Sequence, residues 1–169
     1  MVKRFFLRFI VRGEDDLVFE VRKCESDRLR DVLHNAAKLG SLHEFFWFDT
    51  VDGVSVVLNL SDVQAIRFLW DPAEGPSDLK RNTDGVRIRL RGRQEALFIA
   101  HTNHLDRLYD LFTNLQHGAA VVPFPSFMDE DGEPLQLNAK EVVWVFAPTY
   151  LLDQGAQLIA KEDGLDDDA

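Results

Sequence analysis

Six arginines are the residues whose spacing is best suited to a chemical role. In "RFFLRFIVR", residues 4–12, and in "VRIRLR", residues 86–91, arginine recurs at even intervals, so its side chains share one face of an extended strand. We call these residues the arginine stripe: Arg4, Arg8, Arg12, Arg87, Arg89 and Arg91. Such a stripe can bind phosphates or the carboxylates of an acidic partner. The interpretation we favour is that these arginines pair internally with Glu20, Glu95 and other acids on neighbouring strands.

Aromatic residues form a second group of candidates. The segment "EFFWFD" places large rings on both faces of one strand, whereas the comparable segment "PFPSFM" keeps only two of them. Phe45 and Phe48, which have counterparts, are predicted to be core residues. Phe46 and Trp47, which have none, are predicted to lie under a long loop or at a partner contact. If a homodimer forms, Trp47 or Trp144 is predicted at its contact, because aromatic residues concentrate in interface cores.

The remaining reactive side chains have ordinary structural explanations. His101 and His104 could hold a metal ion from one side of a helix, but Thr102 or Asn103 beside them could simply cap that helix. The acidic turn "DEDGE" lacks the ligand spacing of a calcium loop. Cys24 has no histidine near it in sequence, which favours a structural or exposed thiol over a reactive one. We therefore predict no catalytic residue, no metal site and no cofactor.

The elements that must position these side chains occur twice. Placing "TVDGVSVVLNLSDVQAIRF" above "DEDGEPLQLNAKEVVWVFA" matches Gly53 with Gly132 and Asn59 with Asn138, each pair separated by 79 positions. The same offset matches "DRLRDVL", which begins at Asp27, with "DRLYDLF" further along the chain. A single offset kept through so many elements indicates an internal duplication.

Each copy has the pattern of two strands, one helix and three strands. Alternating apolar and polar residues predict the strands, and apolar residues at helical spacing predict one helix per copy, over residues 26–39 in the first. The Asp-Gly pairs predict tight hairpin turns with glycine at positive φ. We predict an α+β, β-dominated fold in which two ββαβββ units form one pseudo-two-fold, barrel-like domain. Its parts are repeat 1 at 1–70, an inter-repeat loop at 71–84, repeat 2 at 85–152 and an acidic tail at 153–169.

Composition limits the functional classes. The formal net charge of −10 argues against general nucleic-acid binding, because phosphate contacts depend on lysine and arginine. The single cysteine excludes an internal disulfide. No apolar run approaches the roughly 20 residues that span a bilayer, and the apolar N-terminal segment lacks a signal-peptide cleavage site. These features predict a cytoplasmic protein of bacterial type.

Residues 45–115 resemble the small FlbD-type bacterial proteins linked to swarming motility. The shared pattern is a turn glycine, an element ending in asparagine, a V-x-x-I strand, a second hairpin and a closing helix, which here fall on Gly53, Asn59, Val63, Ile66, Gly92 and Leu108. With helix 26–39 in front, the element order is also similar to the Sm-like barrel. The resemblance implies a small β-barrel, but the Sm-like sequence signatures for RNA binding are absent, so it implies no RNA activity.

These observations lead to one functional prediction and one alternative. We interpret the chain as a non-enzymatic protein-binding or scaffold module whose partner is an unidentified protein. The alternative is Sm-like nucleic-acid binding through the arginine stripe. A duplicated chain already makes internally the contact of a homodimer, so we predict a monomer or a homodimer rather than a ring.

Overall fold

The computed structural model describes residues 4–39, 44–70, 85–99, 103–128 and 132–164. Along these ranges, two strands, five strands and three strands are each followed by an α-helix, and two short 3-10 helices lie between strands. The strands are β1 Phe5–Val11, β2 Leu17–Val21, β3 Phe45–Asp49, β4 Val54–Asn59, β5 Val63–Trp70, β6 Val86–Leu90, β7 Leu97–Ile99, β8 Ser126–Met128, β9 Pro134–Gln136 and β10 Val142–Pro148. The helices are α1 Lys23–Leu39, α2 Leu105–His117 and α3 Thr149–Glu162. The fold is therefore mixed α+β and β-dominated, as predicted.

The strands form three antiparallel sheets. One has the order β2-β1-β5, the second β3-β4-β10-β6-β7, and β8 pairs with β9 in a separate hairpin. Among the described strands neither larger sheet closes on itself, so the predicted barrel-like unit is not found. Strands β6 and β7 share a sheet with β3 and β4, whereas β1 and β2 form a sheet with β5 and not with β8 and β9.

The five-stranded sheet is the middle layer of the molecule. On one face, Val57, Ile88 and Val145 pack in a cluster with apolar residues of α2 and with Leu152 of α3. On the other face, Phe48 stacks on Phe9 of the three-stranded sheet with ring centroids 5.7 Å apart. Most of the stability of such an arrangement comes from removing these apolar side chains from water.

Buried contacts join the segment 1–70 to the segment 85–152. Strand β4 is buried at every residue and pairs antiparallel with β10, with Leu58 opposite Trp144. Beside this pairing, the fully buried Asn59 donates from Nδ2 to the carbonyl oxygen of Val142 at 3.1 Å. Because a central strand of the sheet comes from each segment, neither segment holds its apolar faces out of water alone.

Local geometry agrees at three places separated by 79 residues. Gly53 and Gly132 have φ values of 82° and 78°, which confirms the predicted turn conformation at both glycines. Asn59 and Asn138 each cap a short 3-10 helix by accepting a hydrogen bond from the backbone N–H two residues later. The β1–β5 and β10–β6 pairings contain a register shift at the same place.

Two regions differ from the sequence prediction. Helix α3 continues through Glu162, into the segment predicted as an acidic tail, and packs against α2. At the 79-residue offset, Leu7 corresponds to Val86 and its partner Phe19 corresponds to Phe98. Val86 instead pairs with the next residue, Ile99. The predicted loop at 71–84 lies outside the described residues.

Candidate binding surfaces

Four members of the arginine stripe form ion pairs within the chain. Their partners come mainly from turns: Arg4 with Glu20 at 2.5 Å, Arg8 with Asp16 at 2.6 Å, Arg89 with Glu14 at 2.5 Å and Arg91 with Asp62 at 2.9 Å. The sequence allowed either internal ion pairs or an arginine surface for a partner, and these four contacts are internal ion pairs. A guanidinium already bound to a carboxylate is less available to phosphate, because the ion pair must first be broken.

Asp62 is the most buried acid in these ion pairs. Its carboxylate accepts two hydrogen bonds from Arg91, and its backbone carbonyl accepts one from the N–H of Arg12 at 2.9 Å. The hydrogen bond to Asp62 raises the pKa of Arg91, which keeps this guanidinium charged at every accessible pH. The contact joins the two segments of the chain rather than presenting a free cation.

Arg12 and Arg87 have other surroundings. Arg12 is exposed at the turn after β1. The Arg87 guanidinium lies over the indole ring of Trp144, with 5.8 Å between its carbon and the ring centroid. The stripe therefore does not act as one uniform basic face.

The aromatic candidates are packed to different degrees. Phe46 is 5% exposed, and Trp47 packs edge-on against Phe112 and Tyr109 of α2. Both line a groove of about 420 Å³ between α1 and the end of α2. Trp144 is only 3% exposed, so its ring cannot form the predicted dimer contact without opening the core.

Trp144 nevertheless lines a cleft of about 750 Å³ beside the turns that follow β1 and β6. The cleft contains side chains of both charges, among them Arg87, Asp15 and Glu95, together with the half-exposed Phe98. Trp144 Nε1 is buried and has no hydrogen-bond acceptor among the described residues. The cleft therefore combines charges of both signs with an apolar wall.

Strand β5 presents a long open edge. It is the terminal strand of its sheet, and within the described ranges no strand pairs with its outer side. Gln64, Ala65, Arg67 and Trp70 are exposed along it, and Trp70 is 60% accessible. Unpaired N–H and C=O groups on a strand of this length can pair with another extended chain.

Of the histidine and cysteine candidates, the structure describes His104 and Cys24. His104 is the N-cap residue of α2 and makes no side-chain capping hydrogen bond to that helix, whereas His101 and Thr102 lie outside the described residues. Cys24 is a free, exposed thiol at the start of α1. Within the described ranges no group of three potential ligands could hold a metal ion, and no helix is long and apolar enough to cross a membrane.

The open edge of β5 is the feature that sequence reasoning missed. Its residues "VQAIRFLW" and the corresponding "VVWVFAPT" both read as strands, but periodicity identifies the faces of a strand and not its edges. A usable signal was present in the hairpin 126–136, where Pro134 and a short apolar run weaken the strand that could have covered β5.

Comparison with protein-family models, with curated proteins and with solved structures finds no match.

Proposed function

We propose that this protein is a non-enzymatic module that binds an extended segment of a partner protein along the outer edge of β5. The open edge of that strand is the observation that carries the proposal. In this mode of recognition, main-chain hydrogen bonds supply affinity and side chains beside the edge supply selectivity.

The strand 79 positions further along the chain supports this mode of binding. Strand β10 has β6 on one side and β4 on the other. Strand β5 has β1 on the side that corresponds to β6, in a pairing with the same register shift. The open edge of β5 corresponds to the edge of β10 that pairs with β4. The pairing of β4 with β10 is therefore an example, within this molecule, of an antiparallel strand bound at the corresponding edge.

The chain's own candidate for that position is poorly suited to it. By the same offset, β9 corresponds to β4, but β9 has three residues, begins with Pro134 and pairs with β8. Proline lacks the N–H that a strand ladder needs. A strand from another molecule is therefore the better occupant.

Charge beside the edge favours an acidic partner segment. Arg67 is directly opposite Arg8 in the β1–β5 pairing, and two like charges in that position repel. Asp16 binds Arg8, whereas Arg67 has no ion-pair partner among the described residues. A second copy of the chain would bring another Arg67 and another net charge of −10, so we propose a different protein with a carboxylate near Arg67.

Selection from a random-peptide display library against the full chain tests this proposal. We expect selected peptides to alternate apolar and acidic residues and to protect the backbone amides of β5 from hydrogen exchange. The substitution Arg67→Glu should weaken a selected peptide at least about tenfold, because it replaces an attraction by a repulsion. Arg93→Glu is the matched control, since this exposed arginine makes the same charge change on the turn after β6.

Three results would overturn the proposal. The first is a selection with no peptide that discriminates the wild type from Arg67→Glu. The second is amide protection outside β5. The third is a homodimer in light scattering whose β5 amides are already protected, which would make a second copy the occupant.

Nucleic-acid binding remains the alternative function, and a separate measurement distinguishes it. We expect no saturable change in anisotropy when labelled single-stranded RNA is titrated with the protein, even at low salt. The reason is that four arginines of the stripe are ion-paired in a chain of net charge −10. Binding that weakens steeply between low and moderate salt would instead support phosphate contacts and the Sm-like alternative.

The proposal also covers the origin of the fold. We infer that the segments 1–70 and 85–152 arose by tandem duplication of a ββαβββ unit related to FlbD-type or Sm-like proteins. The matching caps, turn glycines and register shifts at one offset support this inference. We further propose a cytoplasmic protein that is monomeric until its partner binds.

A further inference from the structure

Two turns with the same backbone geometry enclose a pocket of about 330 Å³. Gly13 lies in the turn after β1 and Gly92 in the turn after β6, with φ values of 74° and 75°. In each turn the residue after the glycine, Glu14 or Arg93, donates its backbone N–H to the carbonyl oxygen three residues before it, at 3.2 Å. The backbone on both sides of the pocket is therefore held in a defined conformation.

Two of the four arginines that line this pocket are neutralised by its two acids. Glu14 binds Arg89 at 2.5 Å, and Asp62 binds Arg91 at 2.9 Å. With four arginines and two acids, the lining has a net charge of +2. The pocket therefore retains an excess of positive charge after its internal ion pairs have formed.

Arg12 and Arg93 carry this excess charge. Both are exposed, and among the described residues neither side chain makes an ion pair or a hydrogen bond. Such a guanidinium can bind an anion without first breaking an ion pair. The backbone N–H groups of both residues are bonded to carbonyl oxygens, so a substitution of either side chain should leave the turns intact.

Phosphate is the anion that best matches two unpaired guanidinium groups. A phosphate monoester carries close to two negative charges at neutral pH and has three terminal oxygens. A guanidinium binds such oxygens through two parallel hydrogen bonds, whereas one carboxylate has a single charge and suits a single guanidinium. The exposed Gln94 also lines the pocket, and its amide can form hydrogen bonds with the organic part of the ligand.

Neighbouring acids favour a small ligand over a nucleic acid. Asp15 and Glu95 are exposed and line the adjoining cleft, which shares Glu14 with this pocket. They would repel a chain of phosphates that extends beyond the pocket. The volume of about 330 Å³ lies within the range of roughly 300–1,000 Å³ that is usual for small-molecule sites.

From this arrangement we infer that the pocket binds the phosphate group of a small phosphorylated molecule. Arg12 binds the phosphate from the turn after β1, and Arg93 binds it from the turn after β6. This site is separate from the proposed strand-binding edge and does not depend on it.

Isothermal titration calorimetry of the full chain tests the inference with four probes. We expect ribose 5-phosphate to bind with a Kd below about 1 mM, and inorganic phosphate to bind more weakly. Ribose lacks the phosphate, and succinate carries its two charges on separate carboxylates, so each should bind at least about tenfold more weakly than ribose 5-phosphate. In two-dimensional NMR spectra, ribose 5-phosphate should shift the amide resonances of Gly13 and Gly92.

Three variants locate the binding residues. Arg12→Gln and Arg93→Gln should each weaken ribose 5-phosphate about tenfold or more, because each removes one guanidinium from the phosphate. Arg67→Gln is the matched control and should leave the Kd unchanged, since it makes the same charge change at an exposed arginine outside this pocket. All three should unfold at the temperature of the wild type, which separates loss of binding from loss of the fold.

Absence of saturable binding of ribose 5-phosphate would overturn the inference. So would binding that Arg12→Gln and Arg93→Gln weaken no more than the control does. Equal affinity for succinate would show a general attraction to negative charge, and equal affinity for inorganic phosphate would make the free ion the ligand. Either result contradicts the inference, as does saturable binding of single-stranded RNA that the same two variants abolish.

Discussion

Replacing Gly155 by alanine should destabilise the protein even though the residue lies within helix α3. A Cβ atom built at this position falls 2.1 Å from the carbonyl oxygen of Leu105 and 2.8 Å from its carbonyl carbon. These are backbone atoms of α2 and cannot rotate away as a side chain could. Alanine would gain about 0.5–1 kcal/mol of helix propensity, whereas overpacking costs about 1–3 kcal/mol. We therefore expect a net loss of about 1–2 kcal/mol, and a larger loss for Gly155→Val.

Urea unfolding followed by circular dichroism measures this effect. Gln157→Ala is the matched control, because Gln157 is exposed on the same helix and the change should stay within about 0.5 kcal/mol. If Gly155→Ala were as stable as the wild type, α2 and α3 could not approach as closely as described. A loss confined to α3 would appear as a separate early transition, and Leu152 would then leave the core.

Replacing Asn59 by alanine should cost more than the same change at Asn138. Both residues cap a 3-10 helix with nearly identical φ and ψ, so both variants lose a cap worth about 1 kcal/mol. Asn59 alone is fully buried and donates to the carbonyl of Val142. Leaving that buried carbonyl without a donor adds about 1–3 kcal/mol. We expect a total loss of about 2–4 kcal/mol for Asn59→Ala and about 1 kcal/mol for Asn138→Ala.

Aspartate at the two positions sharpens the comparison. It keeps the acceptor that the cap needs but replaces the amide donor by a charge. At exposed Asn138 this change should be nearly neutral, whereas at Asn59 it buries a carboxylate facing a carbonyl. Equal losses at the two positions in equilibrium unfolding would show that the bond from Asn59 to Val142 contributes nothing.

Local elements of this fold follow from sequence, but its edges and long-range contacts do not. The turns at Gly53 and Gly132 and the helices α1 and α2 were predictable, because each rests on a short pattern of residue types. Helix α3 was not, because Gly155 and the preceding Pro148 read as helix breakers. Glycine at position 155 allows α3 to approach the backbone of Leu105 in α2 closely. Leu105 is 50 positions away in sequence, so no local pattern of residues indicates this contact.

The binding surfaces show the same division. Spacing correctly placed Arg8 on the face of β1 opposite the core residues Leu7 and Phe9, but it could not show that Asp16 would bind it. Trp144 reads as one apolar residue in an apolar run, and its unpartnered N–H depends on what surrounds it in space. Composition and periodicity predict which face of a strand or helix a side chain occupies. They do not predict which other residues contact that side chain.

The pairing of β4 with β10 has a consequence for synthesis on the ribosome. Residue Val56 finds its partner Phe146 only after about 90 more residues have been translated, which takes roughly 5–20 s at ordinary rates. During that interval "VSVVLN", a strand that is buried on both faces in the folded protein, has an unpaired edge in the nascent chain. The growing polypeptide is thus exposed to aggregation until its last strand emerges, and holdase chaperones that shield such strands would be expected to raise its yield.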